Sequence, residues 1–177
     1  MSFTHRLATP GDLPALGQLM DRAIARLQLG FLTPEQIEAS RAFMGIDTQL
    51  VTDGTYFIVE GGDRMVGCGG WSRRATLYGG DHSKELREPR VLDPATEPAR
   101  VRAMYTDPDF ARQGVGRLIL GLCEHAAASE GFAAIELMAT MSGEPLYRAA
   151  GYHAIGAAAD AVGGLTVPLL KMGKALG

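Results

Sequence analysis

Hydrophobic and polar positions alternate along the chain in two different periods, and the places where the period changes mark the predicted elements. Phe3 to Leu7 reads as a short strand. Thr9-Pro10-Gly11-Asp12 then reads as a helix start: Thr9 can cap, Pro10 suits the first helical position, and Asp12 complements the positive helix end. Leu13, Leu16, Leu19, Met20, Ala23, Ile24 and Leu27 follow at helical spacing, and Gly30 stops the run. Thr33-Pro34-Glu35-Gln36 opens a second helix with a capping-box pattern, predicted to reach about Met44. Tyr56–Glu60 and Met65–Trp71, joined by Gly61-Gly62-Asp63, predict an antiparallel hairpin. Ser72 to Ala99 is polar, proline-bearing and irregular, and loops of that length inside a domain are often functional. Beyond it the pattern predicts a strand at Arg102–Thr106, a helix at Gly114–Glu130, a strand at Ala134–Ala139 and a short helix at Glu144–Ala150. Two strands close the chain, Tyr152–Gly156 and Leu165–Leu170, joined by a loose Ala157–Gly164 loop. The order β-α-α-β-β-β-α-β-α-β-β predicts an α/β protein with a mixed sheet, mostly antiparallel with one parallel strand-helix-strand crossover, and not a doubly wound fold.

Composition narrows this only a little. A chain of 177 residues with 46% hydrophobic and 21% charged residues suits one globular domain, expected to span 1–177. A net charge of −3 gives no electrostatic footprint for nucleic acid. The two cysteines, Cys68 and Cys123, lie in apolar patterns with no second metal ligand nearby, which predicts buried thiols and no metal site. Met1 to Arg6 lacks the apolar run of a signal peptide, and no segment is long and apolar enough to cross a membrane. The sequence therefore reads as a soluble cytoplasmic protein.

Candidate chemistry begins at Ala111-Arg112-Gln113-Gly114-Val115-Gly116-Arg117. Val115, Leu118, Ile119, Leu122, Cys123 and Ala126 form a core-facing stripe, so the glycines sit at a helix N-terminus. Such a terminus presents free N–H groups and a positive dipole end, and glycines let an anion approach closely. Arg112 and Arg117 flank the turn and can add charge-assisted contacts. A tight turn that binds nothing, its arginines solvated, is the plainer alternative. A dinucleotide site, as in an oxidoreductase, competes less well. Its fingerprint needs a third glycine where Ile119 stands, and Glu136 falls inside its strand, not at the end where a ribose would sit.

At these residues the sequence resembles the GNAT superfamily of acetyl-coenzyme A-dependent N-acetyltransferases. The signature of that family is a strand, then Gln/Arg-x-x-Gly-x-Gly/Ala, then a helix, matched here by Met104 to Arg117 with Ala111 in the first motif position. Leu146-Tyr147-Arg148-Ala149-Ala150-Gly151-Tyr152 resembles its downstream motif, and Arg6 to Asp12 its opening. The resemblance implies an N-acetyltransferase that moves an acetyl group from acetyl-coenzyme A to a primary amine of a small molecule or peptide, with homodimers common in the family. It implies that the backbone of Met104, Tyr105 and Thr106 pairs with the pantetheine arm. It further implies that N–H groups from Arg112 through Gln113, Gly114, Val115 and Gly116 to Arg117 hold the pyrophosphate. A backbone N–H near Met104 would stabilise the oxyanion, and Tyr147 would act as general acid. A non-catalytic acyl-coenzyme A binder on the same fold is the other reading.

The general base is open. Glu97 just before the glycine-loop strand, and Asp81, His82 and Glu85 in the long loop, are the candidates, His82 having a suitable titration range; a water chain is the alternative. Trp71, on the strand face shared with Gly67 and Gly69, is expected with Tyr78 to line an acceptor pocket; a core tryptophan is the competing expectation.

Overall fold

A computed structural model describes residues 2–177. Met1, part of the segment read as lacking a signal peptide, lies outside the described residues. Seven strands form one sheet in the order β1-β2-β3-β4-β5-β7-β6. Strands β1 (Phe3–Leu7), β2 (Tyr56–Gly61), β3 (Arg64–Ser72) and β4 (Ala99–Thr106) run antiparallel to their neighbours. β4 is parallel to β5 (Ala134–Thr140), and β7 (Leu165–Ala175) lies antiparallel between β5 and β6 (His153–Val162). This is the mixed sheet that the element order predicts.

One face carries α1 (Leu13–Leu27) and the short helices α2 (Pro34–Ser40) and α3 (Thr48–Thr52). Leu16, Leu19, Met20, Ala23 and Ile24 of α1 pack on Ile58, Cys68 and Tyr105 of the sheet. Asp12 accepts hydrogen bonds from both the N–H and the hydroxyl of Thr9, and Thr33 and Gln36 cap α2 reciprocally, as the sequence signals indicate. The opposite face carries α4 (Val115–Ser129) and α5 (Glu144–Ala149). Here Val115, Ile119, Leu120, Cys123 and Ala127 pack on Val59, Val66, Trp71, Val101, Ile135 and Leu137. Both cysteines are buried and unpaired.

Several boundaries differ from the sequence reading. α2 ends at Ser40, because the chain then turns inward to bury Phe43 against Val167 and Leu169. α3, capped by Asp47, is too short to show a period. The last hairpin is longer than predicted: residues 157–164 belong to β6 and its turn, where Gly163 and Gly164 both take positive φ, 56° and 83°. Two such residues make the tight turn whose twist suits paired strands.

Gly67 and Gly69 of β3 do not open a pocket. A Cβ at Gly67 would stand 2.4 Å from Val115 Cγ1, and one at Gly69 would stand 2.6 Å from Ile119 Cγ2. The glycines let α4 lie directly on the strand. Val115 is β-branched and stiff, so Gly67→Ala is expected to push α4 off β3 and destabilise the fold by about 1–3 kcal/mol. Chemical denaturation measures this, and an unchanged midpoint would show that α4 is free to slide.

Candidate active site

The parallel pair at the centre of the sheet holds for only two rungs, Ala99–Ile135 and Arg100–Glu136. Past Arg100 the strands part. On its other side β4 is irregular too: the register with β3 shifts between Cys68 and Gly70, leaving Ala103 and Met104 with no partner residue on either side. Ala103 has φ 51°, and its carbonyl accepts the Tyr56 hydroxyl at 2.6 Å. A non-glycine residue in this region costs free energy and persists where its surroundings fix it. The gap opens a cleft lined from both faces of the sheet. Val101, Met104, Leu137 and Tyr147 line it on the α4–α5 side, and Phe43, Tyr78, Met138 and Leu169 on the side of α1 and α2.

The glycine loop follows β4. Asp107 is buried, caps the turn Pro108–Phe110 through the Asp109 N–H at 2.9 Å, and accepts hydrogen bonds from Arg22 at 2.9 Å and Arg64 at 2.8 Å. Desolvation, the largest single influence, pushes its carboxyl up; the Asp109 N–H, Arg22 and Arg64 together outweigh it and hold the group below the ordinary carboxylate range. Arg112 (φ 61°) and Gly114 (φ 89°) are both left-handed, an arrangement that turns successive N–H groups toward one concavity. Among the described residues, no backbone N–H from Arg112 to Arg117 finds a protein acceptor; the first to do so is Leu118, bonded to the Gly114 carbonyl at 3.0 Å. A Cβ at Gly114 would meet open space. At Gly116 it would stand 2.6 Å from Leu146 Cδ2, so this second glycine seats α5 against α4 and brings Tyr147 to the cleft. Arg117 donates to the Ala149 carbonyl at the end of α5, 2.7 Å away, while Arg112 is exposed.

The long segment between β3 and β4 is pinned by ion pairs. Arg102, buried in the cleft wall, donates to Asp47 at 2.7 Å and to the carbonyls of Thr76 and Gly79. Asp47 also takes Arg87 at 3.0 Å, and Arg74 pairs with Asp53 at 2.8 Å. These contacts hold Leu77, Tyr78 and Gly79 over the cleft.

The structure brings Met104, Tyr105, Tyr147 and Tyr78 to one cleft, with the Arg112–Arg117 loop adjoining it through Gly116 and Leu146. The Tyr147 hydroxyl has no hydrogen-bond partner among the described residues, and burial pushes it up to about 12. Two expectations are corrected. Trp71 is 2% exposed and packs edge-on against Phe132 under α4, so it does not line the cleft. His82 bonds the Arg41 carbonyl at 2.6 Å and faces a neighbouring hollow beside α1. Of the base candidates, Glu97 is held by Arg90 and Asp81 by the Thr48 N–H, and Glu85 does not reach the cleft either. No carboxylate lies among the residues that line it. Sequence reasoning missed Phe43, Met44 and Arg102 as lining residues; only the fold brings these segments to β4.

Residues 52–154 match the family model described as the acetyltransferase (GNAT) domain. The chain belongs to the GNAT acetyltransferases and is an acyltransferase enzyme. Solved structures agree in fold. A GCN5-related N-acetyltransferase from Rhodopseudomonas palustris aligns with TM-score 0.72 and 16% identity over 99% of this chain and 96% of its own. An N-acetyltransferase from Staphylococcus aureus Mu50 aligns with TM-score 0.66 and 14% identity over 100% of both chains. The PaiA N-acetyltransferase from Thermoplasma acidophilum, solved in complex with coenzyme A, aligns with TM-score 0.65 and 13% identity over 99% of both. No curated protein sequence matched the chain. No helix among the described residues is long and apolar enough to cross a membrane, and no group of residues is arranged to hold a metal ion.

Asp107→Asn is expected to loosen the glycine loop and lower stability at neutral pH by about 2 kcal/mol, since charge-assisted hydrogen bonds are lost. The native carboxyl is held low, so its contribution is complete above the ordinary carboxylate range and fades as pH falls through that range. Denaturation at pH 7 and in acid should show the gap between native and variant narrowing. A gap that stayed constant would contradict the assignment.

Proposed function

We propose that this enzyme moves an acetyl group from acetyl-coenzyme A to a primary amine of a small molecule or peptide, by direct attack of the amine on the thioester. The chain from 1 to 177 acts as one domain in this reading. The observation that carries it is the run of unpartnered N–H groups from Arg112 to Arg117 beside the unpaired edge of β4. An anion such as a pyrophosphate satisfies those donors at a helix N-terminus, and Gly114 leaves the approach free. Beyond Arg100 the β4 edge facing β5 is free to pair with an extended amide-bearing arm, as a strand would. Met104, Tyr105 and Thr106 supply that edge. The match is to coenzyme A and not to a dinucleotide: Ile119 occupies the third-glycine position and is fully buried against β3.

The chemistry follows from what meets in the cleft. Attack on the thioester carbonyl puts negative charge on its oxygen, and a backbone N–H at Met104, freed by the irregularity at Ala103, is placed to stabilise it. The amine loses its protons to solvent water, since no carboxylate lines the cleft, and collapse breaks the C–S bond and releases a thiolate. Tyr147 remains protonated at any physiological pH because burial raises it, and its unpartnered hydroxyl can donate to the leaving sulfur. The lack of a lining carboxylate favours one other reading, an acyl-coenzyme A binder without turnover.

Acetyl-coenzyme A is expected to raise the melting temperature, and NAD is not, because only a ligand of the folded state stabilises it. Stabilisation by NAD alone would defeat the proposal. Tyr147→Phe should lower kcat by about 100-fold with little change in the KM for acetyl-coenzyme A, followed by thiol release. Near-native kcat would remove Tyr147 from the acid role, and stabilisation by acetyl-coenzyme A without thiol release for any amine of a panel would favour the binder.

A further inference from the structure

Asp160 stands on β6 opposite Val167, and its carboxylate accepts the Tyr78 hydroxyl at 2.8 Å. Tyr78 reaches this position across the chain, held edge-on to Phe43 with ring centres 5.9 Å apart. Two features set the pair apart. Asp160 has no cationic partner within salt-bridge distance among the described residues, although it is half-buried. The only other carboxylate bonded to a cleft-lining side chain, Asp47, is already shared between Arg102 and Arg87. Asp160 is therefore the carboxylate next to the cleft that no arginine or lysine holds, and it meets the cleft through the Tyr78 phenol.

The location gives this charge a direction. Tyr78, Phe43, Met138 and Leu169 lie on the α1–α2 side of the sheet, opposite the Tyr147 side where the glycine loop adjoins. If the acetyl donor enters along the glycine loop, the acceptor comes from the other mouth. That mouth is walled by Phe43, Met44, Leu77, Met138 and Leu169, and the Arg102 guanidinium there already donates to Asp47 and to the carbonyls of Thr76 and Gly79. An amine nitrogen can donate to the Tyr78 oxygen while the Tyr78 hydroxyl keeps donating to Asp160, and the carboxylate balances the ammonium charge. An acceptor with its own carboxylate beside the amine would bring like charge toward Asp160 and meet an Arg102 whose donors are already committed to protein acceptors.

We infer that Asp160, acting through Tyr78, is a positioning residue that fixes the acceptor ammonium and selects an amine at the end of an apolar arm over an α-amino acid. This rests on the donor reading above. The phenol itself is no base, since burial and the hydrogen bond to Asp160 raise it to about 12.

Phenethylamine and L-phenylalanine carry the same ring and differ in the carboxylate, so they make the test. With the full chain and acetyl-coenzyme A, thiol release should show kcat/KM for phenethylamine at least about 10-fold above that for L-phenylalanine. Asp160→Asn keeps an acceptor for the phenol but removes the charge. It should raise the KM for phenethylamine about 10-fold, leave the KM for acetyl-coenzyme A unchanged, and narrow the discrimination. Tyr78→Phe retains the ring against Phe43 and should act likewise, while Asp160→Glu should recover part of the loss. Equal use of the two compounds, or an unchanged KM in both Asp160→Asn and Tyr78→Phe, would overturn the inference. So would acetylation of neither compound by a chain that acetyl-coenzyme A still stabilises, and in that case the donor reading stands. Loss of stabilisation by acetyl-coenzyme A would instead defeat the donor reading itself.

Discussion

The parting of β4 from β5 after Arg100 is the constraint on which the rest of this structure depends. Two parallel strands in the middle of a sheet would ordinarily satisfy each other along their length. Here β4 turns out of register at Ala103, whose carbonyl is taken by Tyr56, while Met104 swings toward Ile119 over the space that Gly69 leaves. On the proposed reading the unpaired edge is the place for an extended ligand, and the gap exposes residues of both faces to one cleft. A donor and an acceptor can then meet from opposite sides without competing for one mouth. The uncompensated backbone that results is costly in an interior, and on the proposed reading the pantetheine arm of the donor repairs it.

Buried charge is concentrated where irregular backbone must be held. Asp107 ties α1 and β3 to the loop through Arg22 and Arg64, and Asp47 ties the long β3–β4 segment to β4 through Arg87 and Arg102. Neither carboxylate could be buried alone, and removing one partner would strand the other. These networks do not carry chemistry themselves. They keep the glycine loop and Tyr78 at fixed positions on the two sides of the cleft. Asp160, by contrast, has no cation of its own, which is what distinguishes a group that waits for a ligand from one that holds the fold.

Much of this was legible in the sequence. The capped start at Thr33, the stripe along α4 and the glycine loop at its N-terminus all rest on local rules, and those rules held; at Thr9 the chain first makes a 3-10 turn over Pro10–Asp12, and the Thr9 hydroxyl donates to Asp12 instead of capping the helix that begins at Leu13. The α4 face is turned slightly from the expected one, burying Leu120 and Ala127 where Leu122 and Ala126 are only half-buried. What was hidden depends on pairing across the chain. The stretch Ala157 to Val162 has little alternation and reads as loop, yet pairing with β7 makes it strand and puts Asp160 next to Tyr78. Glycines beside Trp71 suggest an empty face until α4 is laid upon them. The long β3–β4 segment looks irregular because its order comes from arginine–carboxylate pairs, which leave no period.

The central claim is that the amides from Arg112 to Arg117 and the free edge at Met104 to Thr106 form one continuous donor site. Backbone amide chemical shifts, followed as coenzyme A is added to the labelled chain, address it most directly. The largest changes are expected on both segments together, saturating at the same ligand concentration. Changes confined to other surfaces, or to the glycine loop while Met104 to Thr106 stays unmoved, would contradict it.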